Sequence, residues 1–417
     1  MHRGAIIAAL VAVTRVVYAG GLELPDNGTE ALGRGGAFTA KADDATALQY
    51  NVAGLARQRG TRLLVDGNLV LATMEFQRAG VYPDAPSAAT PWGGQPFPLV
   101  RNTGGPFFAP FVGLSTDFGL DRWTFAVGVY GPSSVANRTY PLSVGGQPSP
   151  GRYDLVQALP TVVFPTAAVA VRAAKWLDIG VALHVAVAKF ELTSVSFTDI
   201  SRGVCPNAEY QPCDSVNKLS TTGVTATAAL GFMLRPVRWW ALGANVRGPV
   251  NLRTNGTVNA EAPSALPMKI DPGEATFSTN LPWVVRVGTR LILAKDDEFE
   301  TADLELDATW ENWSGAQGDG PKVSIPSLSL FQDIHPTIVH HYKDTFSVRL
   351  GGAYNARLPV GVLSFRLGGY YDSSATEAKS TRIDFDTLAK LAGTLGIGYS
   401  VKGFTLNVAY AYVYELD

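Results

Sequence analysis

Four arginines and four carboxylates in the C-terminal part of the chain have the types and spacing to do chemistry. Arg286 and Arg290 lie four apart in one segment, Asp303, Glu305, Asp307 and Glu311 recur at even intervals in the next, and Arg349 and Arg366 stand in the two after that. Residues an even number apart in a strand share a face, so each set points one way. Folding the short turn Lys295 to Phe299 into a hairpin places Arg290 opposite Asp303 and Arg286 opposite Asp307. Cross-strand pairs of this kind contribute roughly 0.2–1 kcal/mol each, so Arg286, Arg290, Asp303 and Asp307 are expected to form a self-neutralised structural network. Arg349 and Arg366 would face each other across the turn Arg357 to Val360. Two like charges attract an anion, and the guanidinium fork suits a carboxylate, which makes this pair the candidate substrate-binding site for a carboxylate.

Other reactive residues assemble no catalytic centre. The five histidines, His2, His184, His335, His340 and His341, have no serine placed with them as a hydrolase requires, and no enzymatic activity is expected. Asp43-Asp44 suits the cap of a short helix better than a metal site, and no metal or other cofactor is expected. Gly33-Arg34-Gly35-Gly36 lacks the spacing and preceding strand of a phosphate loop, so its glycines are assigned to backbone flexibility. Cys205 and Cys213, the only cysteines, fall in one segment and are expected to form a disulfide in an oxidising compartment.

The elements that must position these side chains are announced by alternation. Leu177, Ile179, Val181, Leu183, Val185 and Val187 alternate with Asp178, Gly180, Ala182, His184 and Ala186. Val224 to Leu234, Leu391 to Val401 and Phe404 to Tyr414 repeat the pattern. Period-2 alternation marks a strand between unlike environments, and here one face is large and apolar while the other is Gly, Ala, Ser and Thr. A soluble sandwich would turn the large face inward and charge the other. Small residues on the second face instead suit a crowded lumen behind a lipid-facing surface, as in a transmembrane antiparallel β-barrel.

Composition agrees. Only 17% of the 417 residues are charged, 46% are hydrophobic and the net charge is −2, so neither a basic surface for nucleic acid nor an acidic tail is present. Residues 1–19 have the form of a signal peptide ending at Val17-Tyr18-Ala19, and 20–60 are Gly-rich and weakly helical. Residues 61–417 contain thirteen expected strands, joined alternately by short turns, such as Ala174 to Trp176, and by long loops, such as Gly315 to Tyr342. Bacterial single-chain barrels have even strand counts, so either two strands are merged among the thirteen or a closing strand is missing.

The segment Ala31-Leu32-Gly33-Arg34-Gly35-Gly36-Ala37-Phe38, followed by Ala42-Asp43-Asp44-Ala45 and Asn51-Val52-Ala53-Gly54-Leu55, resembles the amino-terminal hatch of FadL/TodX-type outer-membrane transporters of hydrophobic compounds. Asn280-Leu281-Pro282-Trp283 and Trp310-Glu311-Asn312-Trp313-Ser314 extend the resemblance. It implies an all-β barrel, fourteen-stranded in the family, with a small helical hatch in the lumen, in the outer membrane of a Gram-negative bacterium. It further implies a monomer among outer-membrane lipid and lipopolysaccharide. The implied activity is passive transport of long-chain fatty acids or aromatic hydrocarbons, with release sideways through a break after the third strand. Gly131-Pro132 would supply that break, because proline removes a ladder donor, and Asn51 would belong to the gate. Two departures stand out: the family's Asn-Pro-Ala is Asn51-Val52-Ala53 here, and a final strand with a terminal aromatic is not seen. The alternatives are a general porin for small polar solutes, which would have no plug, and a structural or adhesive barrel, which would bind no small ligand.

Overall fold

The computed structural model describes residues 27–83, 87, 90–131, 137–197, 205, 209–265, 268–296, 299–329, 331–377, 380, 382–384 and 388–416. The expected signal peptide, Pro132 and Asp417 lie outside the described residues.

The alternating segments form the wall. Its strands are β1 (Thr61–Val70), β2 (Phe107–Thr116), β3 (Trp123–Tyr130), β4 (Gln157–Arg172), β5 (Leu177–Phe197), β6 (Asp214–Val237) and β7 (Trp240–Arg247 continuing in Val250–Glu261). They are followed by β8 (Gly273–Leu281 continuing in Val284–Asp296), β9 (Phe299–Glu311), β10 (Thr345–Arg357), β11 (Val362–Asp372), β12 (Ala389–Val401) and β13 (Phe404–Leu416). Each pairs antiparallel with the next. The sheet also takes in the short Arg138–Thr139 segment and a hairpin of Lys322–Leu328 with Phe331–Ile334. Pro249 and Pro282 interrupt β7 and β8 side by side, where each proline lacks the N–H that the ladder would use. The thirteen wall strands equal the number expected, and among the described residues no pairing joins β13 to β1.

Large apolar side chains point outward. Val181, Leu183, Val187, Val224, Leu391, Leu395, Leu406 and Tyr410 are exposed, whereas Ala182, His184, Ala186, Ala229 and Ala392 are buried. In a membrane the exposed set meets lipid, which removes the reason to turn it inward.

The lumen is filled by the hatch. Its helices α1 (Thr29–Gly33) and α2 (Ala47–Tyr50), and the 3-10 segment Val52–Arg57, are too short to be stable alone. They are held by the wall, with Phe38, Leu48, Tyr50, Val52 and Leu55 buried in one cluster with wall residues Phe111, Phe164, Ala182 and Met233. Glycines on the inner face let the two backbones meet. A Cβ at Gly351 would stand 1.9 Å from the Arg34 carbonyl oxygen, at Gly243 2.3 Å from that of Thr39, and at Gly231 2.4 Å from Asn51 Oδ1.

Replacing Gly351 by valine is therefore expected to expel the hatch while sparing the wall. Limited proteolysis should cut the variant between Thr29 and Arg57, and the variant should keep the heat-modifiable gel mobility of a folded barrel.

Candidate functional site

Two features of the interior bear on function: a polar clasp that holds the hatch, and an apolar cavity beyond it. The clasp is built on β9, whose alternation sends Asp303, Glu305 and Asp307 inward. Asp303 receives both arms of Arg34, at 2.8 Å on Oδ1 and 2.7 Å on Oδ2, together with Arg290 Nε at 2.6 Å and the Ala353 N–H at 2.9 Å. Glu305 Oε1 accepts the N–H groups of Ala40 and Lys41 at 2.6 and 3.2 Å, and its other oxygen lies 3.3 Å from Arg34. Asp307 Oδ2 accepts the N–H groups of Phe38 and Thr39 at 2.9 and 2.8 Å. Four successive amides and one guanidinium of the hatch thus face three carboxylates of a single strand, an anion-binding nest.

The arginines singled out from the sequence are all buried on the inner face. Their registers differ from expectation. The β8–β9 hairpin closes at Asp296 and Phe299, after a register irregularity near Ala294, so Arg290 stands opposite Glu305 and Arg286 opposite Thr309. Arg290 still reaches Asp303, as a diagonal neighbour. Asp307 holds the hatch, and Arg286 donates to the Gln49 carbonyl at 3.2 Å. The β10–β11 hairpin closes at Arg357 and Val362, which sets Arg349 opposite Tyr370 and Arg366 opposite Ala353. These two therefore do not face each other across the hairpin.

Both also have partners in the hatch. Arg366 pairs with Glu30 at 3.1 Å and Asn407 Oδ1 at 2.9 Å. Arg349 stacks on Tyr370 at 4.6 Å and donates to the Gly35 carbonyl at 3.4 Å. The carboxylate that Arg366 receives is the chain's own. Burial pushes the Glu30 carboxyl up, but Lys41, Arg366 and Arg34 outweigh it and hold it at about 2.

Asn51 joins hatch to wall. Its Nδ2 donates to the Thr39 and Phe232 carbonyls, both at 2.9 Å, while its Oδ1 accepts the Ala53 N–H and starts the 3-10 segment. Asn27 reaches the other expected gating position, donating to the Gly131 carbonyl at 2.9 Å. At that point β3 ends. Pairing with β4 resumes only where Arg138–Thr139 meets Gln157 and Ala158, so among the described residues 159–163 of β4 have no ladder partner on the β3 side.

The cavity, about 720 Å³, falls within the roughly 300–1,000 Å³ of small-molecule sites. Its walls include Phe190, Leu192, Leu219, Val258, Phe277 and Ile325, and it reaches the unpaired stretch at Pro160, next to the paired Ala158. Among the described residues, none of the hatch lines it. One end is polar, where Arg382 lies 3.1 Å from Asp154 and 3.4 Å from Asp384, while Arg138 donates to the Ile383 carbonyl at 2.9 Å. Burial pushes the Asp154 carboxyl up. Burial acts on Asp384 in the same direction, but His340, 3.1 Å away, together with Arg382 and Arg138 outweighs it and holds Asp384 down. Cys205 and Cys213 are disulfide-bonded, and Glu209, between them in sequence, pairs with Arg78 and Arg152.

Sequence reasoning missed Arg34 and the whole cavity. A fifth arginine inside a Gly-rich segment was the available signal for the first. Ile325, Leu328 and Ile334 come from an inward-folded hairpin within the segment Gly315 to Tyr342, read as a long loop, and nothing local marks that fold.

Arg34→Ala is expected to leave Asp303 short of a partner at a cost of about 3–5 kcal/mol, the scale for breaking a buried ion pair. Single-channel recording in planar bilayers should show higher ionic conductance than wild type, with Arg34→Lys intermediate. Arg349→Gln combined with Arg366→Gln should loosen the hatch and change uptake of acidic and neutral hydrophobes alike.

Comparison with known proteins agrees with this architecture. Residues 10–417 match the family model described as outer membrane protein transport protein (OMPP1/FadL/TodX). Among solved structures, a Pseudomonas aeruginosa FadL homologue aligns with a TM-score of 0.72 at 17% identity, covering 95% of this chain and 92% of that one. The P. putida toluene transporter TodX aligns with a TM-score of 0.66 at 16% identity, covering 94% and 92%. The CymD monoaromatic hydrocarbon channel aligns with a TM-score of 0.66 at 15% identity, covering 94% and 93%. No curated protein sequence matches the chain. At these identities the structures speak for the fold, and the family match spans nearly the whole sequence: the chain belongs to the OMPP1/FadL/TodX family of outer-membrane transport proteins.

Proposed function

We propose that this protein moves long-chain fatty acids or other hydrophobic molecules passively through the outer membrane, with the hatch as gate and the wall beside Gly131 and Pro132 as lateral exit. In this account residues 1–19 direct export, 20–60 are the hatch and 61–417 the barrel, which works as a monomer without a cofactor. Asn51 belongs to the gate because it ties the hatch to β6. One observation carries the lateral route: the apolar cavity is lined by Pro160, in the stretch of β4 that lacks a partner on the β3 side. A hydrophobe leaving there enters lipid directly and avoids the cost of crossing a wet pore. The relatives described as a toluene transporter and a monoaromatic hydrocarbon channel make a neutral aromatic the alternative cargo. A polar-solute porin fits poorly with a hatch-filled lumen and an apolar cavity.

Two substitutions separate binding from exit. Leu219→Trp fills the cavity and is expected to lower both binding and liposome uptake of a labelled fatty acid by about tenfold or more, as losing about 1.4 kcal/mol of burial would. Val162→Trp narrows the gap and is expected to slow uptake while leaving equilibrium binding at the wild-type level. Normal uptake in both variants would contradict the route.

A further inference from the structure

The short turns at one end of the barrel repeat a dipeptide that neither the hatch clasp nor the cavity uses. Arg122-Trp123, Lys175-Trp176 and Arg238-Trp239 each put a basic residue directly before a tryptophan, at the turns joining β2 to β3, β4 to β5 and β6 to β7. All six residues are exposed. Trp123 shares the outward parity of Phe125 and Val127, and Trp239 stacks on Trp240 at 6.3 Å. Because β2 to β7 pair in sequence order, the three turns are successive along one rim. Short turns mark the periplasmic face of bacterial barrels, so this rim meets the inner leaflet.

Charge on this arc is one-sided. Residues 57–62, 117–122, 172–178 and 235–238 hold eight basic and three acidic residues. Two of the acidic groups are engaged locally: Asp178 with Arg57 and Arg235, and Asp117 with Arg59 at 3.8 Å. The three remaining short turns, 295–298, 357–360 and 402, together hold three basic and three acidic residues, so the surplus is confined to the half of the rim under β1 to β7.

We infer that this arc binds anionic phospholipid headgroups of the inner leaflet. Tryptophan settles at the level where acyl chains meet headgroups, and the adjacent Arg or Lys then stands at the height of the phosphates. A soluble acidic protein would answer the charge alone. Three exposed tryptophans on the rim answer to a membrane.

The test is native mass spectrometry of the purified full-length protein with equimolar phosphatidylglycerol and phosphatidylcholine. Wild type is expected to retain phosphatidylglycerol over phosphatidylcholine by about fivefold or more, the factor given by the attraction of one surface Lys or Arg. Arg122→Gln, Lys175→Gln and Arg238→Gln combined should bring the two lipids to parity while keeping the heat-modifiable mobility of a folded barrel. Arg122→Lys with Arg238→Lys should preserve the preference. Equal retention by wild type, as expected if the arc instead meets a soluble acidic protein, overturns the inference. Selectivity that survives in the glutamine variant overturns it as well.

Discussion

Three carboxylates on one wall strand decide how this barrel is plugged. Asp303, Glu305 and Asp307 project inward because β9 alternates, and together they take up Arg34 and the four amides from Phe38 to Lys41. A hatch made of short helices has little stability of its own, so its position in the lumen depends on what the wall offers. Buried carboxylates are costly unless fully bonded. That cost makes the clasp reciprocal: the hatch needs the acids for anchorage, and the acids need the hatch for solvation.

The rest of the interior follows from keeping that clasp in reach. Gly351, Gly243 and Gly231 bring the hatch backbone onto the wall backbone, where any side chain would intrude. Arg286, Arg349 and Arg366 then close on the hatch from other strands, through Gln49, Gly35 and Glu30. Asn27 connects the same hatch to Gly131, at the end of β3. Hatch and wall break are thereby linked by a hydrogen bond, and the apolar cavity is lined by loops and the outer halves of β4 to β8.

Much of this was legible in the sequence, for physical reasons that can be named. Alternation between large apolar and small residues from Leu177 to Val187 identifies wall and lumen because lipid and a packed interior demand different side chains. It also gives the inward direction of Arg286, Arg290, Arg349 and Arg366. Register was not legible. A hairpin that closes at Asp296 and Phe299, and another at Arg357 and Val362, depend on turn geometry that the apolar pattern does not encode. The role of Arg34 stayed hidden because four barrel arginines already balanced four carboxylates on paper. Only the three-dimensional placement shows that Asp303, Glu305 and Asp307 turn to the hatch.

Amide hydrogen exchange at Phe38, Thr39, Ala40 and Lys41 in the wild-type barrel measures the clasp at its own donors. Slow exchange at these four amides is expected, with protection lost in Glu305→Gln combined with Asp307→Asn and kept in the β9–β10 ladder. Exchange at free-loop rates in the wild type, or protection unchanged by the double substitution, would contradict the account that these carboxylates hold the hatch.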